Sequence, residues 1–310
     1  MRFSVYQESH IGGRRNNQDR MGYSFTRDAL LLVLADGMGG HIQGDVAATI
    51  ALQTIGVLFQ ENASPYVKKP EKFLEESFLA AHREIHRYRA VNQLPETPRT
   101  TIVACLIQHN CAFWAHCGDS RLYWMRSGQI LARTRDHSRI ESLIAQGKVD
   151  PSERDRHPER NKLFNCLGAP NIPIVELSRR ASLQPGDVIL LCSDGLWSVL
   201  PEHVLAQSLY ANTVVRAVPE MVASAVGIAG KTSDNVTALA MTWEGANTLQ
   251  DSPDTIVTHS LPVGSVTTTI QAPRHADLEQ ADVFNDSEIE KAIEEIRSAI
   301  EKSSRITSKN

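Results

Sequence analysis

The chain has 310 residues, 42% of them hydrophobic, and a formal net charge of −4. That length holds one large domain or two ordinary ones around a sizeable core, and so small a net charge gives no basis for nucleic-acid binding. No stretch reaches the ~18 apolar residues of a membrane span, and Met1-Arg2-Phe3-Ser4-Val5 lacks the apolar run of a secretory leader.

Phe3 to Ser9 alternates loosely and is expected as a first strand, followed by a polar loop from Gly12 to Arg20. Met21 to Phe25 reads as a second strand, which turns at Arg27-Asp28 into the apolar run Leu30 to Leu34. Three short strands within the first 35 residues argue for a sheet built by hairpins. Apolar residues then recur at helical spacing over Val46–Gln60 and Glu71–Tyr88. Two long helices after antiparallel strands point to an α+β arrangement, not to alternating βαβ units.

A second strand cluster is expected over Thr100–Gln108, Cys111–Cys117, Arg121–Arg126 and Ile130–Thr134. Ser138 and Glu141 form a capping box for a helix running to Gln146, with Gly147 at its C-terminal cap. Residues 148–174 are polar and carry Pro151, Pro158, Pro170 and Pro173, the composition of a surface loop or flap. Val188–Cys192 reads as a buried strand, Pro201–Ser208 and Pro219–Ala229 as helices, and Val236–Trp243 as the last strand. Cys105, Cys111, Cys117, Cys166 and Cys192 are odd in number and include no C-x-x-C pair, so free thiols in a reduced, cytoplasmic compartment are expected.

Composition shifts after Trp243. Residues 244–285 hold a single aromatic, Phe284, and are rich in Ser, Thr, Asp and Pro, which favours an acidic, disordered linker. From Glu244 to Asn310 there are 12 acidic and 6 basic residues, an acidic tail on a mildly basic body. Ile289, Ile293, Ile296 and Ile300 then mark a narrow apolar stripe on a short amphipathic helix, 286–303. That stripe suits either docking back on the body or a protein partner.

The chemistry gathers at Asp19, Asp36-Gly37, Asp119, Asp194-Gly195 and Asp234-Asn235, each next to an expected strand. The glycine-rich Asp36-Gly37-Met38-Gly39-Gly40-His41 lets backbone approach an ion or phosphate closely. Each Asp alone is an ordinary turn former. Together they form an oxygen-only carboxylate set of the kind that holds Mg²⁺ or Mn²⁺, and two such ions activate water for in-line attack on phosphorus. Arg14 adds a planar, permanently charged fork suited to a phosphate dianion.

In order along residues 3–243, these segments resemble the metal-dependent protein phosphatases, the type 2C Ser/Thr phosphatases, and their bacterial branch most closely. Arg14-x-x-Asn17-Gln18-Asp19 is similar to the family's opening R-x-x-N-E/Q-D, and Asp36 to His41 to its D-G-M-G-G-H. Arg99-Thr100-Thr101, Gly118-Asp119-Ser120-Arg121, Asp136-His137-Ser138, Ser193-Asp194-Gly195-Leu196 and Ser233-Asp234-Asn235 follow in the family's order. The resemblance implies a four-layer α-β-β-α sandwich, two antiparallel sheets flanked by helix pairs, formed by a catalytic domain over 1–243. It implies that Asp36 bridges two Mn²⁺ or Mg²⁺ ions and that the Gly37 carbonyl ligates one. Asp194 and Asp234 would hold the other, and Asp119 with Asp194 a third. Gln18, Asp19 and Asn235 would act around the metals, Asp19 through water, and Arg14 would bind the substrate phosphate. The flap over 148–168 is where substrate selection is expected.

Two departures bear on the chemistry. Gln18 stands where many relatives have Glu, which removes one negative charge. Met38 stands where animal members place a His, so the leaving alkoxide needs another proton donor, for which His41 and His137 are the nearby candidates, each equally readable as structural. No Cys sits in a C-x₅-R phosphate loop, consistent with a mechanism lacking a covalent phospho-enzyme.

The expected activity is hydrolysis of phosphoprotein monoesters, opposing a bacterial Ser/Thr kinase. Two other readings stay open: a phosphoprotein-binding module without turnover, against which the intact Asp36, Asp194 and Asp234 weigh, and an enzyme whose tail tethers a partner or occludes the site. Thr267-Thr268-Thr269 in that tail reads as a phosphorylation target or as plain linker.

Overall fold

The computed structural model describes residues 1–38, 43–160, 162–245 and 267–270. The chain opens with β1 (Arg2–His10), β2 (Asp19–Phe25) and β3 (Ala29–Asp36), then α1 (Gly44–Asn62) and α2 (Pro70–Val91). Next come β4 (Ile102–Gln108), β5 (Cys111–Cys117), β6 (Arg121–Arg126), β7 (Gln129–Arg133) and α3 (Arg139–Ala145). Two short strands, β8 (Glu176–Leu177) and β9 (Ala181–Ser182), lead to β10 (Val188–Cys192) and the one-turn α4 (Asp194–Trp197). The order closes with α5 (Glu202–Ala211), α6 (Val214–Ala229), β11 (Val236–Gly245) and β12 (Thr267–Thr268).

Two antiparallel sheets result. One runs β1-β11-β10-β6-β7; the other runs β12-β2-β3-β4-β5-β8, with β9 also on β5. The physics is clearest in β3, which is apolar on both faces. Leu30, Leu32 and Leu34 enter the cluster between the sheets, while Leu31, Val33 and Ala35 pack with α1 and α2. Side chains alternate along a strand, so a strand in the middle of a four-layer stack must be apolar at every position. Asp36, the first polar residue, marks where the stack ends. On the far side, α4, α5 and α6 cover the first sheet through Leu196, Leu205, Val218 and Met221. The fold is the α+β four-layer sandwich.

Ser138 caps α3 as the spacing predicts, its Oγ accepting from the Glu141 N–H at 3.3 Å, whereas the Glu141 carboxylate, instead of closing the box, is bonded by Arg154. Gly147, with φ +67°, follows the last turn. α6 departs from expectation, beginning at Val214 and carrying Pro219 in its interior. A buried stripe of Val214, Ala217, Val218, Met221, Val222 and Ala225 outweighs the one hydrogen bond that proline forgoes.

Thr267–Ile270 also depart from expectation. Placed in a disordered linker by composition, they instead add a strand to β2 and bury Ile270 to 2% exposure. Three β-branched threonines followed by isoleucine favour extended backbone, and averaging over a forty-residue polar stretch hides so short a segment. Met1–Ile270 is one compact unit. The expected helix 286–303 and most of 244–285 lie outside the described residues.

Candidate active site

Asp19 opens β2 and Asp36 closes β3, and the two are directly opposed in the ladder. Asp194 begins α4 immediately after β10, Asp234 and Asn235 immediately precede β11, and Asp119 lies in the turn between β5 and β6. The two sheets thus deliver five carboxylates to one end of the sandwich. Their proximity is read electrostatically: the Asp36 carboxyl is held well above the ordinary carboxylate range, first by burial and then by Asp19, Asp194, Asp119 and Asp234. Asp194 is raised likewise, by burial and then by Asp119, Asp234 and Asp19. Asp119 is pushed up to about 7, chiefly by burial.

A local scaffold holds each acid. Thr101 Oγ1 accepts from the Asp36 N–H at 3.2 Å, and the Thr101 N–H and Thr100 hydroxyl both donate to the Asp36 carbonyl at 2.8 Å. Ser193 Oγ donates to Asp19 Oδ2 at 2.8 Å. Asn235 ties the opening loop to the site: Oδ1 accepts from the Gln18 N–H at 2.9 Å, and Nδ2 donates to the Ile11 and Asn16 carbonyls at 2.9 and 3.1 Å. The Gln18 carbonyl in turn accepts from the Gly37 N–H at 3.2 Å. Gly37 is crossed by the start of α1, where a β-carbon would lie 2.4 Å from Gly44 backbone; no other residue fits there. Arg14 Nη2 donates to Asp234 Oδ2 at 2.6 Å.

The site fits a hard cation on its own evidence. Asp19 Oδ1 is buried and has no hydrogen-bond partner among the described residues. Asp19, Asp36, Asp119 and Asp194 are raised by burial and by neighbouring carboxylates while Arg14 is engaged at Asp234, so the group is short of positive charge, and its donors are all oxygen, the set that Mg²⁺ and Mn²⁺ prefer.

A family model described as protein phosphatase 2C matches residues 6–228. The chain belongs to the protein phosphatase 2C family. It is 28% identical over 229 residues to the serine/threonine phosphatase stp of Listeria innocua, covering 73% of this chain and 90% of that protein. The structure of the S. agalactiae serine/threonine phosphatase superposes with a TM-score of 0.71 at 27% identity, covering 78% of this chain and all of the other. The catalytic domain of the phosphatase PstP, solved in complex with 2 manganese ions, superposes with a TM-score of 0.66 at 28% identity, covering 77% and 97% of the two chains. This chain is accordingly a metal-dependent serine/threonine protein phosphatase, and phosphoproteins are its substrate class.

The candidate proton donors of the phosphatase fare differently. His41 lies outside the described residues. His137 is 5% exposed, with both ring nitrogens engaged. Its Nδ1 accepts from Asn165 Nδ2 at 2.7 Å and from the Gly118 N–H at 3.2 Å, and its Nε2 faces Glu176 Oε2 at 3.2 Å. The Asn165 amide cannot flip, because Ile174 bonds both of its ends. The His137 proton therefore sits on Nε2. That arrangement braces the turn carrying Asp119 and gives the structural reading of His137. It also speaks against metal at His116, His137 and Glu176, whose ligand atoms lie within 4.8 Å of one another, because Nε2–H offers no lone pair.

Sequence reasoning missed the supports of Asp119. Arg121, 4% exposed, grips Asp136 through two bonds of 2.8 and 2.7 Å and lies 3.5 Å over the Trp197 ring. Trp197 Nε1 donates to the Asp119 carbonyl at 3.0 Å. In the flap, Arg154 reaches back to Asp136 and Glu141. Arg121 and Asp136 stood in motifs quoted above, but nothing in their spacing announced this pairing.

Proposed function

We propose that Asp36, Asp194 and Asp234 hold two Mn²⁺ or Mg²⁺ ions in this phosphatase. Asp36 is shared, Gly37 contributes its carbonyl, and Asp119 with Asp194 holds a third ion. The observation that carries the reading is the cluster of carboxylates that raise one another, with the buried Asp19 Oδ1 left unpartnered among the described residues. Bound ions of this class supply Lewis acidity and a water activated for attack on phosphorus.

The chain's own groups do the rest. Asp19, gripped by Ser193 at one oxygen, keeps the other to orient a ligand. Gln18 and Asn235 brace the loop that carries Arg14. Arg14 exchanges its bond to Asp234 for the substrate phosphate, which its planar fork matches with two parallel N–H donors. With His137 committed to the fold, the leaving oxygen takes its proton from another group at the mouth of the site.

The substrates are phosphoproteins of a bacterial Ser/Thr kinase, selected at the flap over 148–168, and the enzyme works in the cytoplasm. Bacterial relatives named as serine/threonine phosphatases support the first point. The five free cysteines support the cytoplasmic placement. Residues 1–243 carry catalysis, and the stretch 286–303, whose isoleucine stripe suits an amphipathic helix, serves a protein partner.

The test is hydrolysis of a small aryl phosphate by the purified chain with EDTA, Mg²⁺ or Mn²⁺, beside an Asp36→Asn control. Turnover that needs metal and vanishes in the control is expected. Turnover in EDTA, or an active control, would overturn the metal assignment.

A further inference from the structure

We propose that Thr267–Ile270 is a clip, bound in cis on a docking site formed by the edge of β2 and a slot in α1, and that its grip governs how firmly the acidic cluster is held. β12 pairs antiparallel with β2, Thr267 opposite Phe25 and Thr268 opposite Ser24. The Thr269 N–H donates to the Tyr23 carbonyl at 2.9 Å, and Thr269 Oγ1 accepts from the Tyr23 N–H at 2.9 Å. The fully buried Ser24 hydroxyl is bonded to that of Thr268. Without this segment β2 would be a bare sheet edge with unpaired backbone groups.

The socket is built from two glycines. A β-carbon at Gly22 would lie 2.7 Å from Ile270 Cγ1, and one at Gly56 would lie 2.8 Å from Ile270 Cγ2. Glycine in the interior of a strand or of a 19-residue helix weakens each element. Here both open the slot that Ile270 fills, as part of the core beneath α1 and α2.

The same stripe of contacts leads to the acids. Arg20 Nε, on the face of β2 that also presents Gly22, donates to Thr49 Oγ1 of α1 at 3.1 Å. Thr49 and Gly56 are two helical turns apart on one face of α1. β2 and α1 are therefore fastened at two places, by Arg20 to Thr49 and Asp45 and by Ile270. These are the elements that begin with Asp19 and that press Gly44 against Gly37. Loosening the clip frees both.

The experiment compares full-length wild type with Ile270→Ala, which empties the slot, and Gly56→Val, which closes it; Ile270→Val is the conservative control, and Thr269→Val, which removes the acceptor of the Tyr23 N–H, takes their place under the same prediction if either fails to fold. Backbone hydrogen exchange is read over β2 and the first half of α1, and Mn²⁺ affinity by calorimetry. The clip predicts exchange at least tenfold faster in both elements, including at Asp19, and Mn²⁺ binding three- to tenfold weaker, with Ile270→Val near wild type. Exchange and Mn²⁺ affinity unchanged in Ile270→Ala, or faster exchange confined to Thr267–Ile270, would overturn it. The affinity arm rests on the metal reading proposed above, whereas the exchange arm does not. A wild type that binds no Mn²⁺ would sink the metal reading and leave exchange to decide the clip.

Discussion

Asp19 and Asp36 face each other across β2 and β3 as the end pair of their ladder. Like charges directly opposed on neighbouring strands repel, and burial removes the water that would screen them. The pair is tolerable when protonated or when a cation sits between the charges. Asp36→Asn is therefore expected to lower metal-dependent turnover at least about a hundredfold. In EDTA the same variant should melt at or above the wild-type temperature, because a repulsive charge is gone. Aryl phosphate assays and scanning calorimetry read the two effects, and near-wild-type activity would exclude a shared ligand.

The raised carboxyls set a pH dependence. A carboxyl whose folded-state pKa lies above its unfolded value binds its proton more tightly when folded. Its contribution to stability is full below the unfolded value and lost as pH rises through the folded one. For Asp119 that window runs from the ordinary 3.8 to about 7, and Asp36 and Asp194 act in the same direction. The EDTA-treated protein is expected to melt progressively lower from pH 5 to pH 8. Excess Mn²⁺ should flatten or reverse the trend, since metal and protons compete for the same oxygens. Identical pH slopes with and without metal would contradict this.

Arg14 is more than half exposed and bonded to Asp234. Arg14→Ala is expected to raise KM by roughly 10- to 100-fold, the worth of ~1.5–3 kcal/mol for a hydrogen bond to a charged group, with a smaller effect on kcat. Arg14→Lys should recover only part, because an ammonium cannot make the paired contact. Steady-state kinetics on a phosphopeptide decide the matter, and an effect on kcat alone would place Arg14 elsewhere in the reaction.

Asp119 stands apart from the others in having its carbonyl held by Trp197. Asp119→Asn is expected to slow turnover by about tenfold or more while leaving the tight Mn²⁺ sites filled, as second-sphere and weak-site changes do. Calorimetric titration of Mn²⁺ separates the two. Loss of the tight sites in this variant would show that Asp119 belongs to them.

Arg121 and Asp136 are 5% and 2% exposed at their side chains. Removing one partner of such a pair strands a buried charge, at a cost of about 3–5 kcal/mol. Arg121→Met is expected to lose stability on that scale in urea unfolding, and to lower activity indirectly by releasing Trp197 from beneath its guanidinium. A loss under about 1 kcal/mol would mean that Arg154 alone suffices to hold Asp136.

Much of this molecule was legible along the chain because its signals are local. An unbroken apolar run that stops at Asp36 announces a doubly covered strand and the edge of its layer. The helical spacing of Val46–Gln60, the Ser138–Glu141 cap and the ordered Asp motifs are likewise carried by residues a few positions apart. The local spacing sufficed for an α+β arrangement, and the ordered motifs, through their resemblance to the phosphatase family, for the sandwich and the acids expected at its end.

The tertiary structure decided what depends on residues far apart in sequence. Ser193 reaches Asp19 across 174 positions, and Thr269 reaches Tyr23 across 246. His137 lost its standing as an acid only when Asn165, fixed by Ile174, was seen to claim its Nδ1. Local propensity sets what a segment is able to form, whereas burial and hydrogen-bond satisfaction, which need the whole fold, set what it does. Thr267–Ile270 read as linker by composition and became a strand because Gly22 and Gly56 leave room for one isoleucine.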